Sequence, residues 1–120
     1  SGKIISSAKA QLEVDKKLSI CEGEGNGPVN ALDNAIRNNI DNLGKYSKYL
    51  KDLKLVDYKV RILNTGTEAI TRVSIESTDS KGKNWFTIGV STNIIDASFK
   101  ALVDSLDYKL YKDKAPASIL

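Results

Sequence analysis

The sequence predicts an α+β fold, a two-layer sandwich with amphipathic helices laid on antiparallel sheets. Three observations carry that expectation. Several short runs alternate apolar and polar residues with period two. Two longer runs repeat apolar residues at helical spacing. The runs follow one another as β-β-α-β-β-β-α, without the regular βαβα alternation of a doubly wound sheet.

The elements can be justified in order. Ala10, Leu12 and Val14 alternate with Lys9, Gln11 and Glu13, which predicts a half-buried strand. Asp15-Lys16-Lys17 predicts a tight turn. Leu18 and Ile20 carry a second strand to about Glu22, so the two strands form a hairpin. The glycine loop GEGNGP follows. Pro28 stands where a first helical residue is favoured, because its missing N–H would be unpaired there anyway. From it, Val29, Leu32, Ile36, Ile40 and Leu43 share one helix face, and Gly44 is the expected stop. Residues 45–54, KYSKYLKDLK, read as a polar connector with one short helical turn.

In the second half, Val56, Tyr58, Val60 and Ile62 alternate with Asp57, Lys59 and Arg61. Thr71, Val73 and Ile75 alternate with Arg72, Ser74 and Glu76. The turn DSKGK leads into a strand from Trp85 to Val90. A last helix from about Asn93 carries Ile95, Phe99, Leu102, Leu106 and Leu110 on its apolar face. Residues 1–7 read as a tag remnant or leader, 8–112 as the domain and 113–120 as a tail.

Composition narrows the function classes. With 120 residues, 41% hydrophobic and 28% charged, the chain suits one globular domain. A net charge of +3 is too mild to argue for nucleic acid. No histidine is present, so no histidine-based metal site, triad or proton shuttle can form here. The single Cys21 has no internal disulfide partner and reads as a buried thiol in a reducing cytoplasm. No apolar run approaches a membrane span and no signal peptide is evident, so no membrane partner is expected. The opening Ser1-Gly2 and the lack of methionine suggest a piece excised from a longer protein.

The two strand–loop–helix joints overlay at an offset of 66 positions. GEGNGPVNALDNAI then lies against GVSTNIIDASFKAL: Gly23 meets Gly89, Asn30 meets Asp96, Ala31 meets Ala97, and Ala35 meets Ala101. Small residues at matched helix positions would let each helix approach its sheet closely. As an internal repeat, this implies two related units and a pseudo-twofold.

Few residues offer chemistry. GEGNGP at a helix N-terminus could hold an anion, but it lacks the Lys-Ser/Thr of a P-loop. Glu22 and Glu24 would repel a multiply charged phosphate and tolerate a single carboxylate better. A rigid turn into a helix explains the same residues. KYSKYLKDLK interleaves lysine and tyrosine as single-strand binders do, yet Asp52 and Asp57 dilute its charge. It reads as a solvated connector, and no nucleic-acid partner is expected. Glu68, Glu76, Asp79 and Asp96 fall on different elements and read as surface charges.

Four motifs together carry a resemblance: GEGNGPVNALDNAIR, LVDYKVRIL, GTEAITRVSIES and WFTIGVSTNIIDASFKALVDSLDYKL. In this order, over about Ala8 to Lys112, the chain closely resembles the C-terminal regulatory domain of the isopropylmalate synthase and citramalate synthase family. NGPVNALDNA, with Asn30 where the leucine-type enzymes usually carry aspartate, resembles the citramalate branch.

The resemblance implies two pseudo-symmetric βββα-like units, a homodimer, and an end-product amino acid bound near the dimer interface. It implies inhibition of a separate TIM-barrel domain of the parent chain. That barrel condenses acetyl-CoA with a 2-oxo acid and uses a divalent metal; no cofactor is expected in this domain. The implied effector is L-isoleucine, with L-leucine the rival. A structural dimerisation module that has lost its effector is a further alternative.

Matched positions imply the effector-binding residues. Gly25, Asn26, Gly27, Val29 and Asn30 would form the loop and helix entry. Leu55, Tyr58 and Ile62 would line the side-chain pocket. Ala69, Asn93 and Ile94 would complete it. Strict alternation puts Tyr58 and Ile62 on one face and Leu55 on the other, so either the strand starts irregularly or Leu55 does not belong.

Overall fold

The computed structural model describes residues 5–14 and 16–116. Asp15, expected in the first turn, lies outside them; its neighbour Lys16 adopts the left-handed φ of +66°. The described chain divides into two compact units, with the crossings at 51/52 and 109/110.

In the first unit, β1 (Ser6–Val14) and β2 (Lys17–Gly25) form the expected antiparallel hairpin, with Ser6 opposite Gly25 and Val14 opposite Lys17. Pairing thus begins at Ser6, ahead of Lys9, where the expected alternation starts. It also runs past Glu22, so Gly23 and Gly25 belong to the strand and only Asn26 and Gly27 link it to the helix. Ala10 and Cys21 sit opposite each other and are buried, whereas Leu18 and Ile20 face solvent. Burial raises the pKa of the Cys21 thiol, which suits an inert packing role.

Helix α1 (Pro28–Asn38) starts at Pro28 as expected and buries Val29, Ala31, Leu32, Ala35 and Ile36. It ends sooner than its apolar pattern predicts. Asn39 leaves helical geometry at φ −120°, and its side chain bonds back to the Ala35 carbonyl at 2.7 Å. The chain continues as a 3-10 segment, Ile40–Tyr46, broken at Gly44 with φ +65°. Ile40 and Leu43 remain buried, so the apolar positions were read correctly although the helix was not. A short helix α2 (Ser47–Leu50) follows, anchored by buried Leu50. Lys45 and Lys48 each lie 5.2 Å from the ring centroid of the tyrosine that follows them, and the Tyr46 hydroxyl donates to the Pro116 carbonyl.

The second unit holds β3 (Lys54–Thr65), β4 (Glu68–Thr78) and β5 (Asn84–Ser91) in the antiparallel order β3-β4-β5, followed by α3 (Ile94–Lys112). Gly66 and Gly82, at φ +67° and +80°, make the two hairpin turns. On β4, Thr71, Val73, Ile75 and Ser77 are buried, as the alternation requires.

Helix α3 packs on β4 and β5. The Thr87 hydroxyl donates to the Ala101 carbonyl at 2.7 Å, and the Ser77 and Ser105 hydroxyls meet at 2.6 Å. Its buried face differs from the expected stripe. Ile95 is 45% exposed, while Ala97, Ser98, Ala101, Ser105 and Lys109 are buried beside Leu102 and Leu106. A helix that comes down onto a strand glycine must present small side chains at the contact, which rotates the large ones away. No helix among the described residues is long and apolar enough to cross a membrane.

Candidate functional site

In the first joint, the glycines serve packing before anything else. A Cβ on Gly23 would fall against the backbone of Asn34 and Ala35, and one on Gly25 against Asn30 and Ala31. Gly27 has open space around it and an extended φ of −177°. Asn30 organises the loop from within. Its Oδ1 accepts the Asn26 N–H at 3.1 Å and the Asn34 amide at 3.4 Å, while Asn34 also donates to the Glu24 carbonyl at 2.8 Å. One N–H of the loop is therefore already used, and Val29 is buried in the core.

The second joint uses charged groups in the corresponding places. A Cβ on Gly89 would meet Ala97 and Ala101. Lys100 pairs with Asp96 at 3.1 Å and reaches the Val90 carbonyl at 3.5 Å, as Asn34 does with Asn30 and Glu24. A hydrogen bond from Ser91, then Lys100, holds the Asp96 carboxyl below the usual range. Asn93 caps α3, its Oδ1 accepting from Ile95 at 2.7 Å and Asp96 at 3.2 Å.

Strand β3 carries several exposed apolar side chains. Its register with β4 shifts between Leu55 and Asp57, so Val56 is a bulge residue. Leu55 therefore pairs with Ser77 and Tyr58 with Ile75, on one face, and the discrepancy in strict alternation is removed. Val60 pairs with Val73, Ile62 with Thr71 and Asn64 with Ala69, so Ala69 shares that face too. It is the face that α3 covers on β4 and β5. On β3 it stays open, with Tyr58 42%, Val60 39% and Ile62 65% exposed.

Thr71 also pairs with Ser91, two residues before Asn93. Two strand spacings, about 10 Å, separate Ile62 from the end of β5. Ile62, Ala69, Asn93 and Ile94 thus belong to the same end of the second unit. Val60, which the resemblance does not single out, shares this exposed row with Tyr58 and Ile62, as their alternation in the sequence requires.

A buried ionic cluster occupies the other end. Lys109 Nζ lies 3.1 Å from Asp52 Oδ1 and 3.2 Å from Asp79 Oδ2, with the Lys109 side chain 1% exposed. Ser80 donates to Asp52 through its hydroxyl at 2.6 Å and its N–H at 3.2 Å. The Ser80 hydroxyl, with help from Lys109, lowers the Asp52 pKa to about 2. Asp79 is thus buried rather than a surface charge, because its lysine partner rises from the helix above it. The four-residue spacing of Ala101, Ser105 and Lys109 was the available signal.

Among the grooves formed by described residues, one of about 670 Å³ lies beside Lys9, Glu22 and Asn38, and another of about 510 Å³ between β5 and α3. None of the expected effector residues lines either one. Among the described residues, no cluster of histidine, cysteine, aspartate or glutamate could hold a metal ion.

Comparison with known proteins identifies the family. Residues 1–110 match the family model described as the LeuA allosteric (dimerisation) domain. The chain belongs to this family. The chain is 48% identical over 114 residues to the (R)-citramalate synthase of Geobacter sulfurreducens, which covers 93% of the chain and 21% of that protein. It is 49% identical over 111 residues to the (R)-citramalate synthase of Aquifex aeolicus, covering 91% and 20%. A 2-isopropylmalate synthase of Clostridium acetobutylicum is 38% identical over 101 residues, covering 82% and 16%. The LeuA-type domain described here spans about a fifth of the length of the citramalate synthases it matches.

Proposed function

We propose that this domain is the feedback sensor of an (R)-citramalate synthase. It binds L-isoleucine on the open face of β3, works as a homodimer in the cytoplasm, and when occupied inhibits the catalytic barrel of the same parent chain. Membership of an allosteric domain family supports the reading, as does higher identity to citramalate synthases than to the 2-isopropylmalate synthase. Citramalate feeds isoleucine synthesis, which makes isoleucine the end product to sense.

The observation that carries the reading is the row Tyr58, Val60 and Ile62. These side chains share the core face of their sheet, yet α3 leaves them uncovered. An apolar row left open in this way suits an apolar guest, a second chain, or both. The N-terminal turn of α3, at the Ile62 end, offers a positive dipole end to an amino-acid carboxylate.

Titration calorimetry with isoleucine, leucine and valine tests the proposal. Isoleucine should bind most tightly. Tighter leucine binding would favour the regulatory domain of a 2-isopropylmalate synthase instead. No binding by any of the three at millimolar concentration would leave a structural dimerisation module, in which a second copy alone covers the row. A monomer by sedimentation at all concentrations would remove the dimer.

A further inference from the structure

Strand β3, the proposed effector strand, is an edge strand paired on one side only, with β4. Apart from half-buried Leu55, every β3 side chain from Lys54 to Asn64 is exposed, so no helix packing fixes the strand. Its attachments are the ladder to β4 and the residues at its foot. There, Leu53 is buried and Asp52 is gripped by Lys109 and Ser80. Lys109 also grips Asp79, just past the end of β4. The same helix that carries Asn93 and Ile94 at one end therefore holds the foot of β3 at the other.

We infer that Lys109 is a positioning residue for effector binding: by clamping Asp52 and Asp79 it sets β3, with Tyr58 and Ile62, against α3, with Asn93 and Ile94. The inference rests on the effector reading given above. Three features of the cluster fit this role. An ammonium buried to 1% exposure cannot exchange its partners for water without moving the helix or the strand. Asp79 is equally enclosed, and its other oxygen accepts the Lys81 N–H at 3.0 Å, which ties the clamp to the β4–β5 turn. Asp52 and Lys109 are the first and last residues of the second unit, so their pairing closes that unit on itself. With the clamp released, β3 would keep its ladder to β4 but lose its fixed placement relative to α3.

The test uses this chain and three proteins: wild type, Asp52→Asn and Asp52→Glu. Asp52 is one-third exposed, so Asp52→Asn should fold, leaving Lys109 paired with Asp79. Isoleucine affinity by calorimetry should fall about fivefold or more in Asp52→Asn and recover in Asp52→Glu. Amide exchange should accelerate at Leu53 to Tyr58 in Asp52→Asn, with Val73 and Ile75 still protected. A lower melting temperature with unchanged isoleucine affinity would reduce the cluster to a purely structural role and overturn the inference. Failure of the wild type to bind any branched-chain amino acid would instead remove the effector reading, and this inference with it.

Discussion

Gly89 on β5 lies directly beneath Ala101 on α3: a Cβ on the glycine would stand 2.8 Å from the alanine nitrogen and press on the Ala97 carbonyl. Gly23 stands to Ala35 in the same way, in the other unit and 66 positions earlier. In both cases the obstacle is backbone, which cannot swing aside as a side-chain tip can. Gly89→Ala should therefore destabilise the domain by about 3 kcal/mol. Gly27→Ala, in open space at an extended φ, should change stability by under about 0.5 kcal/mol. Denaturant melts of the two variants check the contrast.

Ser77 and Ser105 are each 2% exposed, and their hydroxyls bond at 2.6 Å between β4 and α3. Ser105→Ala strands the Ser77 hydroxyl in the core and should cost about 1–3 kcal/mol. Adding Ser77→Ala removes the stranded group, so the double variant should be no less stable than the single one. A double-mutant cycle by thermal melting reads the coupling.

Much of this was readable in the sequence, and the failures have physical causes. The order of strands and helices followed from periodicity, and the small residues facing Gly23 and Gly89 were visible as a matched set. Helix α1 stopped early because Asn39 bonds back to Ala35, a local side-chain competition that apolar spacing cannot report. The α3 stripe was misplaced because close packing on Gly89 favours alanine and serine over leucine. Asp79 reads as a surface charge because aspartate is usually exposed, and only its pairing with Lys109 makes burial tolerable. The bulge at Val56 restored Leu55 to the face of Tyr58, and nothing in the alternation signalled where it would fall.

Ile62 separates affinity from stability. At 65% exposure its truncation removes little from the core, so Ile62→Ala should shift the melting temperature by no more than a degree or two. If the open face of β3 holds isoleucine, the lost contact should weaken binding about tenfold, in keeping with about 1–3 kcal/mol for a small apolar contact. Calorimetry of the variant decides the matter, and an unchanged affinity would move the site off this face.

Asp52 gives the domain an acid-sensitive element of predictable sign. The Ser80 hydroxyl and the Lys109 ammonium favour its charged form and lower its folded pKa to about 2, against about 3.9 for an unperturbed aspartate. A lowered folded pKa means that the unfolded chain takes up the proton first. The stabilisation is therefore complete above about pH 4 and is lost as pH falls through the folded value near 2. Asp52→Asn cannot titrate, so its stability should be lower than wild type at pH 7 and fall less steeply between pH 4 and 2. Urea midpoints measured at pH 7, 4 and 3 test this. Parallel slopes for both proteins would show that Asp52 is not ionised against Lys109 and Ser80 in the folded state.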